Sequence, residues 1–227
     1  MNKLKLKIGN KELDIEKGTT LYKIVKDNNL EGNIPVVLAN VNGVYYELTH
    51  GLQEEGNLEV VDITNNLGSR TYVRTLQFVL IKSVLDLFPG AKITIEHSLG
   101  KGLFGEIHKD MPLSEDDILK IKARMTELIN KDIPIKKVCM KREDAIKIFS
   151  DYNMDDKVRL LKHVSSDIVK LYELDGRYDY FYGSMAYSTG ILKIFDLCYR
   201  EPGFVLRYPL ESDPSKLPNF IEHKKLR

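Results

Sequence analysis

The sequence predicts an α+β fold in two successive units, residues 1–63 and 70–203, and three observations carry that prediction. Residues 3 to 8 read Lys-Leu-Lys-Leu-Lys-Ile, the strict alternation of a half-buried strand. Apolar residues between Val73 and Leu87 recur instead at helical spacing. Between the two patterns lies Asn65-Asn66-Leu67-Gly68-Ser69, polar and turn-rich, which marks 64–69 as a linker.

In the first unit Leu4, Leu6 and Ile8 face inward, and Asn10-Lys11 turns the chain into a second strand over Glu12 to Ile15. Gly18-Thr19-Thr20 opens a short helix from Leu21 to about Asn28, where a threonine side chain can accept from the first exposed N–H groups. Val36-Val37-Leu38-Ala39 is a short apolar strand. Asn42-Gly43 signals a tight turn into Val44 to Leu48, and Leu58 to Ile63 supplies the last strand. This order suits a compact β-grasp, although periodicity alone does not separate it from other small α+β folds.

In the second unit Val73, Leu76, Leu80, Ile81, Val84 and Leu87 form the apolar stripe of a helix that Pro89-Gly90 ends. Lys92 to Glu96 reads as a strand. Ser114-x-x-Asp117 is a capping box in front of Ile118, Ile121, Met125, Leu128 and Ile129, so a helix covers about 115 to 130. Lys136 to Met140 is strand-like, with Cys139 read as core. Short helices are expected over Arg142 to Phe149 and Asp155 to Leu161, then strands and turns through the aromatic stretch Val169 to Phe195. Prolines are frequent beyond Pro202, so 204–227 is expected to be a connector toward a further domain outside this chain.

Charge excludes little and includes less. Lys plus Arg is 34 against 33 for Asp plus Glu, so bulk charge points to no polyanionic partner and only a local patch could. The two cysteines, Cys139 and Cys198, form no C-x-x-C pair, which argues against a disulfide framework. The start lacks an apolar signal segment, and no apolar run reaches the roughly 18 residues needed to span a bilayer. A cytoplasmic protein without a membrane partner is expected.

Several segments are familiar. Gly18-Thr19-Thr20-Leu21 and Leu38-Ala39-Asn40-Val41-Asn42-Gly43 resemble the TGS module, a ubiquitin-like β-grasp at the front of threonyl-tRNA synthetases and some GTPases. Phe88-Pro89-Gly90-Ala91-Lys92, Gly102 to Ile107, Leu113-Ser114-x-x-Asp117 with Arg124-Met125-x-Glu127-Leu128, and Asp196-Leu197-Cys198 follow in the order of that family's editing domain, an α+β domain shared with alanyl-tRNA synthetases. Thr94 to Gly102 further resembles bacterial, largely clostridial, fusions that carry these domains ahead of a uridine-kinase-type P-loop domain. That resemblance implies ATP and Mg for a kinase domain beyond Arg227. No G-x-x-x-x-G-K-[ST] occurs in the 227 residues, so phosphotransfer would lie outside them.

The family's zinc site takes H-x-x-x-H from the first helix and C-x-x-x-H from a later strand, because residues i and i+4 share a helix face. The resemblance sets Arg74 and Phe78 at the helix histidines, and Cys198 and Pro202 at the later pair. Arg stays cationic and Phe has no lone pair, so one ligand of four survives where a catalytic zinc takes about three. No metal and no cofactor is expected in this chain.

The same alignment retains Asp196 as the acidic residue two before the Cys, and Lys157 as the functional lysine. Together with Arg74, His97, Lys101 and Arg200 they are expected to form a cationic pocket for a phosphate, a ribose or a tRNA 3′ end. Against this, His97 reads better as a structural or polar-rim residue than as a catalyst, and Cys198 better as a small buried hydrophobe. His50, His108, His163 and His223 show no ligand spacing, and Lys136-Lys137 and Lys224-Lys225 read as solvated charge. The expected function is a non-catalytic binding or regulatory region for RNA or nucleotide, attached to a kinase. The alternative is a metal-independent deacylase using Lys157, Asp196 and Cys198, and a third reading is an oligomerisation element.

Overall fold

The computed structural model describes residues 3–99 and 101–219. His223, Lys224 and Lys225 lie outside them, as does the end of the expected connector.

The first unit contains β1 (Lys3–Ile8), β2 (Lys11–Glu16), α1 (Leu21–Asp27), β3 (Val36–Val41), β4 (Val44–Glu47) and β5 (Gly56–Asp62). They form a five-stranded sheet in the order β2-β1-β5-β3-β4, with β1 and β5 parallel and the other pairs antiparallel. Thr20 caps α1, its hydroxyl accepting from the Lys23 N–H. Asn42 and Gly43 both have positive φ, 52° and 87°, the conformation that a two-residue turn between twisted strands requires. Leu21, Ile24 and Val25 of α1 pack on Leu6, Val36, Ala39, Val41 and Leu58 of one sheet face.

The other face of that sheet is covered by α2 (Asn66–Leu87). Val37, Leu38, Val61 and Ile63 share one core with Tyr72, Leu76, Val79 and Val84. The residues expected to be a linker are therefore a helix start. Asn65 is the N-cap, accepting from the N–H groups of Leu67 and Gly68, and 66–69 are the first turn. Polar, turn-type residues serve a cap as well as they serve a loop. The predicted stripe on α2 is only part of its buried surface. Leu76, Leu80 and Val84 are buried, Val73 and Ile81 line a cavity, and Leu87 is exposed, because the helix packs on more than one side.

The remaining elements are β6 (Lys92–Leu99), β7 (Gly102–His108), α3 (Glu115–Asn130), β8 (Lys136–Lys141), α4 (Arg142–Asp151), α5 (Asp155–Lys162), β9 (Ile168–Leu174), β10 (Arg177–Asp179), a 3-10 turn at Thr189–Ile191, β11 (Asp196–Arg200) and β12 (Gly203–Arg207). The expected capping box on α3 is formed, with Ser114 and Asp117 bonding each other's backbone N–H. The strands build a three-stranded sheet, β10-β9-β8, and a four-stranded sheet, β11-β12-β7-β6.

Two expectations fail here. The segment after Pro202 is not a connector at its start, since Phe204, Val205 and Leu206 are buried and β12 pairs with both β11 and β7. A Cβ on Gly203 would lie 1.9 Å from the Gly105 carbonyl oxygen, so only glycine lets the strands come this close. Cys139 is not core but exposed, because β8 is an edge strand whose Val138 and Met140 turn the other way. Among the described residues no helix is long and apolar enough to cross a membrane.

Candidate functional site

A cavity of about 1090 Å³ opens between α2, β6, α5 and the stretch running from β10 to Tyr182. Its deepest charged group is Asp179, the last residue of β10 and fully buried. One oxygen, Oδ1, accepts from the Tyr180 N–H at 2.7 Å and lies 3.3 Å from Lys157 Nζ. The other, Oδ2, is buried with no hydrogen-bond partner among the described residues. Burial pushes the Asp179 carboxyl above the usual range, and Lys157, the Tyr180 N–H and Arg177 offset only part of that.

Helix α5 delivers Lys157, whose ammonium also donates to the Tyr180 carbonyl at 2.8 Å and lies 5.5 Å from the Phe181 ring centre. Arg177 stacks over Tyr152, 4.2 Å from its ring centre, and its Nε is buried with no hydrogen-bond partner among the described residues. From α2, Arg74 donates to the Ser184 carbonyl at 2.7 Å. Burial lowers the Arg74 pKa, yet a guanidinium stays charged. One turn on, Phe78 is fully buried and its ring meets Phe181 at 5.1 Å.

Of the residues expected to share a pocket, Arg74 and Lys157 line this cavity and the others do not. Asp196 and Cys198 project from β11 into a separate cluster. Asp196 pairs with Lys122 at 2.6 Å and Arg207 at 3.2 Å, and the Cys198 thiol lies 3.4 Å from its Oδ2. Burial raises the Asp196 carboxyl, but the Lys122 and Cys198 hydrogen bonds outweigh it and the net shift is downward. Burial and then Asp196 push the Cys198 thiol up, the reverse of what activates a cysteine nucleophile. His97 is exposed on β6 with its ring tilted on Phe104, Lys101 is exposed at the β6–β7 turn, and Arg200 ends β11.

Arg177, Asp179 and Phe181 are the site residues that sequence reasoning missed. The available signal was a lone Asp inside the aromatic run Tyr178 to Tyr182. Among the described residues no group of three or more His, Cys, Asp or Glu side chains could hold a metal ion. Around the cavity itself Arg74, Phe78 and Phe181 offer a cation and two hydrocarbon rings, which do not fit a zinc ion.

No protein-family model matches the chain. Its sequence is 28% identical over 198 residues to a threonine–tRNA ligase of Clostridium novyi, covering 87% of this chain and 31% of that protein. It is 28% identical over 158 residues to a threonine–tRNA ligase of Marinobacter nauticus, covering 69% of this chain and 25% of that protein. A probable cytoplasmic threonine–tRNA ligase of Enterocytozoon bieneusi is 25% identical over 183 residues, 81% of this chain and 28% of that protein. The chain spans less than a third of the length of these relatives, and over most of its own length it is a region related to threonine–tRNA ligases.

Proposed function

We propose that this chain is a tRNA-related binding region, with a TGS-type front unit, whose editing-type pocket holds a nucleotide or an RNA 3′ end without hydrolysing it. The observation that carries this reading is the make-up of the cavity wall. Six cationic side chains, Arg70, Arg74, Lys92, Lys157, Arg159 and Arg177, stand against Asp155, Asp156 and Asp179, with Tyr152, Tyr180 and Phe181 between them. Cations among aromatic rings suit phosphates and stacked bases.

The geometry also supports a different alignment from the one first expected. The editing pattern places an acidic residue two before the Cys of C-x-x-x-H, and Asp179-x-Phe181-x-x-x-Met185 has that spacing. Lys157 pairs with Asp179, and Phe181 packs on Phe78, where a strand ligand would meet a helix ligand. On this alignment Arg74, Phe78, Phe181 and Met185 hold the four ligand places, and zinc-dependent editing is absent. Asp196 and Cys198 then belong to the sheet.

The test is fluorescence anisotropy with a labelled threonine-tRNA acceptor minihelix. Arg70→Glu with Arg74→Glu is expected to weaken binding more than tenfold and to flatten its salt dependence. Unchanged affinity overturns the reading. A second reading, metal-independent deacylation, is favoured by one observation, the free Oδ2 of Asp179 at the cavity floor. Hydrolysis of Ser-tRNA(Thr) in the presence of EDTA, lost in Asp179→Asn, would establish it in place of the first. Attachment to a uridine-kinase-type domain rests on the resemblance of Thr94 to Gly102 alone. A P-loop encoded after Arg227 would bear it out, and a synthetase catalytic domain there would replace it.

A further inference from the structure

Large aromatic side chains are ordinarily buried, yet Tyr182 is 93% exposed. Its backbone is nevertheless pinned on both sides. The Tyr180 carbonyl accepts from Lys157 at 2.8 Å on one side, and the Ser184 carbonyl from Arg74 at 2.7 Å on the other. The backbone beneath the ring is thus held in place, which lowers the entropic cost of using it.

Its position gives the exposure a use. Tyr182 lines the large cavity and also a second one of about 400 Å³, on whose wall Lys137 and Lys170 stand against Glu47. Tyr180 and Phe181 are common to both walls. An aromatic ring between a hollow with six cations and a smaller one with Lys170 and the Glu47-paired Lys137 matches the repeat of a single-stranded polynucleotide, in which flat bases alternate with phosphates. Bases of any sequence stack on such a platform, while the phosphates follow the cations.

We infer that the two cavities are successive nucleotide subsites of one single-stranded polynucleotide end, and that Tyr182 is the stacking platform between them. This rests on the nucleotide-binding reading above and adds the ligand's length and the residue that senses it. A mononucleotide would fill the larger cavity and meet Tyr182 only on that cavity's side, whereas a longer end would cross the ring into the smaller one.

Calorimetry with AMP and with an RNA tetramer carrying one 2-aminopurine tests the inference on the full chain. The tetramer is expected to bind at least tenfold tighter than AMP, with quenching of the 2-aminopurine as it stacks. Tyr182→Ala should reduce tetramer affinity about tenfold, abolish the quenching and lower AMP affinity by a clearly smaller factor, and Tyr182→Trp should retain both tetramer affinity and quenching. The variant's exposure keeps folding out of the comparison. Equal affinity for AMP and tetramer, or a tetramer affinity indifferent to Tyr182→Ala, overturns the platform and leaves the pocket reading standing. Binding of neither probe by the unaltered chain removes both.

Discussion

Asp179 is the residue whose chemistry is most constrained by its surroundings. It is fully buried, one oxygen lacks a partner among the described residues, and Lys157 lies 3.3 Å from the other. A carboxyl whose folded pKa lies above its unfolded value binds more protons when folded. Its contribution to stability is therefore complete below the unfolded pKa, near 3.8, and is lost as pH rises through the raised folded value. Asp179→Asn removes that loss. Urea titrations at several pH values are expected to show the variant gaining on the unaltered protein as pH climbs from about 4. A stability difference flat with pH would mean that Asp179 is not destabilised by burial. Asp196 and Asp117 act in the opposite sense. Their folded pKa values are lowered, so their contribution is present above the unfolded value and is lost as pH falls through the folded one. Lys157→Met leaves the buried carboxylate without that cation and should cost about 3 kcal/mol. Adding Asp179→Asn should recover much of the loss, and a double variant as unstable as the sum of the singles would deny the coupling.

At the scale of elements the strongest commitment concerns β12. Phe204 and Leu206 are fully buried at the junction of β11, β12 and β7, so the sheet closes only with residues past 203. Truncating either to alanine should cost about 3 kcal/mol, measured by urea denaturation. A loss below about 1 kcal/mol would restore the connector reading. Phe204-Val205-Leu206 was an apolar run that sequence could have flagged, but four prolines from Pro202 to Pro218 outweighed it. Local signals otherwise served well. Thr20 and the Ser114–Asp117 box formed the caps they promised, and Asn42-Gly43 formed its turn. These features depend on neighbours three or four residues away. Cys139 and the α2 stripe were misread because burial on an edge strand or on a helix packed on several sides is set by distant partners. The site suffered most. Lys157 and Arg74 were legible as cations, but Asp179 is a lone carboxylate in an aromatic run whose burial and pairing with Lys157 are set by elements far away in sequence.

Across the whole molecule one carboxylate joins the first sheet to the wall of the cavity. Glu47, at the end of β4, has a side chain only 9% exposed. Its Oε2 lies 2.6 Å from Lys137 Nζ on β8, while its Oε1 accepts from the Met185 N–H at 2.9 Å and from the Tyr172 hydroxyl. Beside it Tyr22 of α1 stacks flat on Tyr187, ring centres 3.7 Å apart. The first unit thereby holds residues 185–187 from one side, while Arg74 and Thr75 of α2 hold Ser184 and Ala186 from the other. In Glu47→Ala the Tyr172 hydroxyl can turn its proton to the Gly183 carbonyl, 3.0 Å away, while the Met185 N–H loses the Oε1 it donates to. An orphaned buried donor costs about 1–3 kcal/mol, and Glu47→Gln, which keeps an acceptor oxygen and loses the charge facing Lys137, should cost less. Hydrogen exchange supplies the sharper measurement. Met185 should lose protection in Glu47→Ala while the Ala186 N–H, bonded to Thr75 Oγ1 at 2.9 Å, keeps most of its own. Equal loss at both amides would mean that the loop opens as a unit, and no loss at either would mean that Glu47 does not hold it. Because the same loop carries Tyr182, a loosened Met185 should also reduce the quenching of the tetramer's 2-aminopurine, less in Glu47→Gln, which keeps the bulk of the smaller cavity's wall, than in Glu47→Ala.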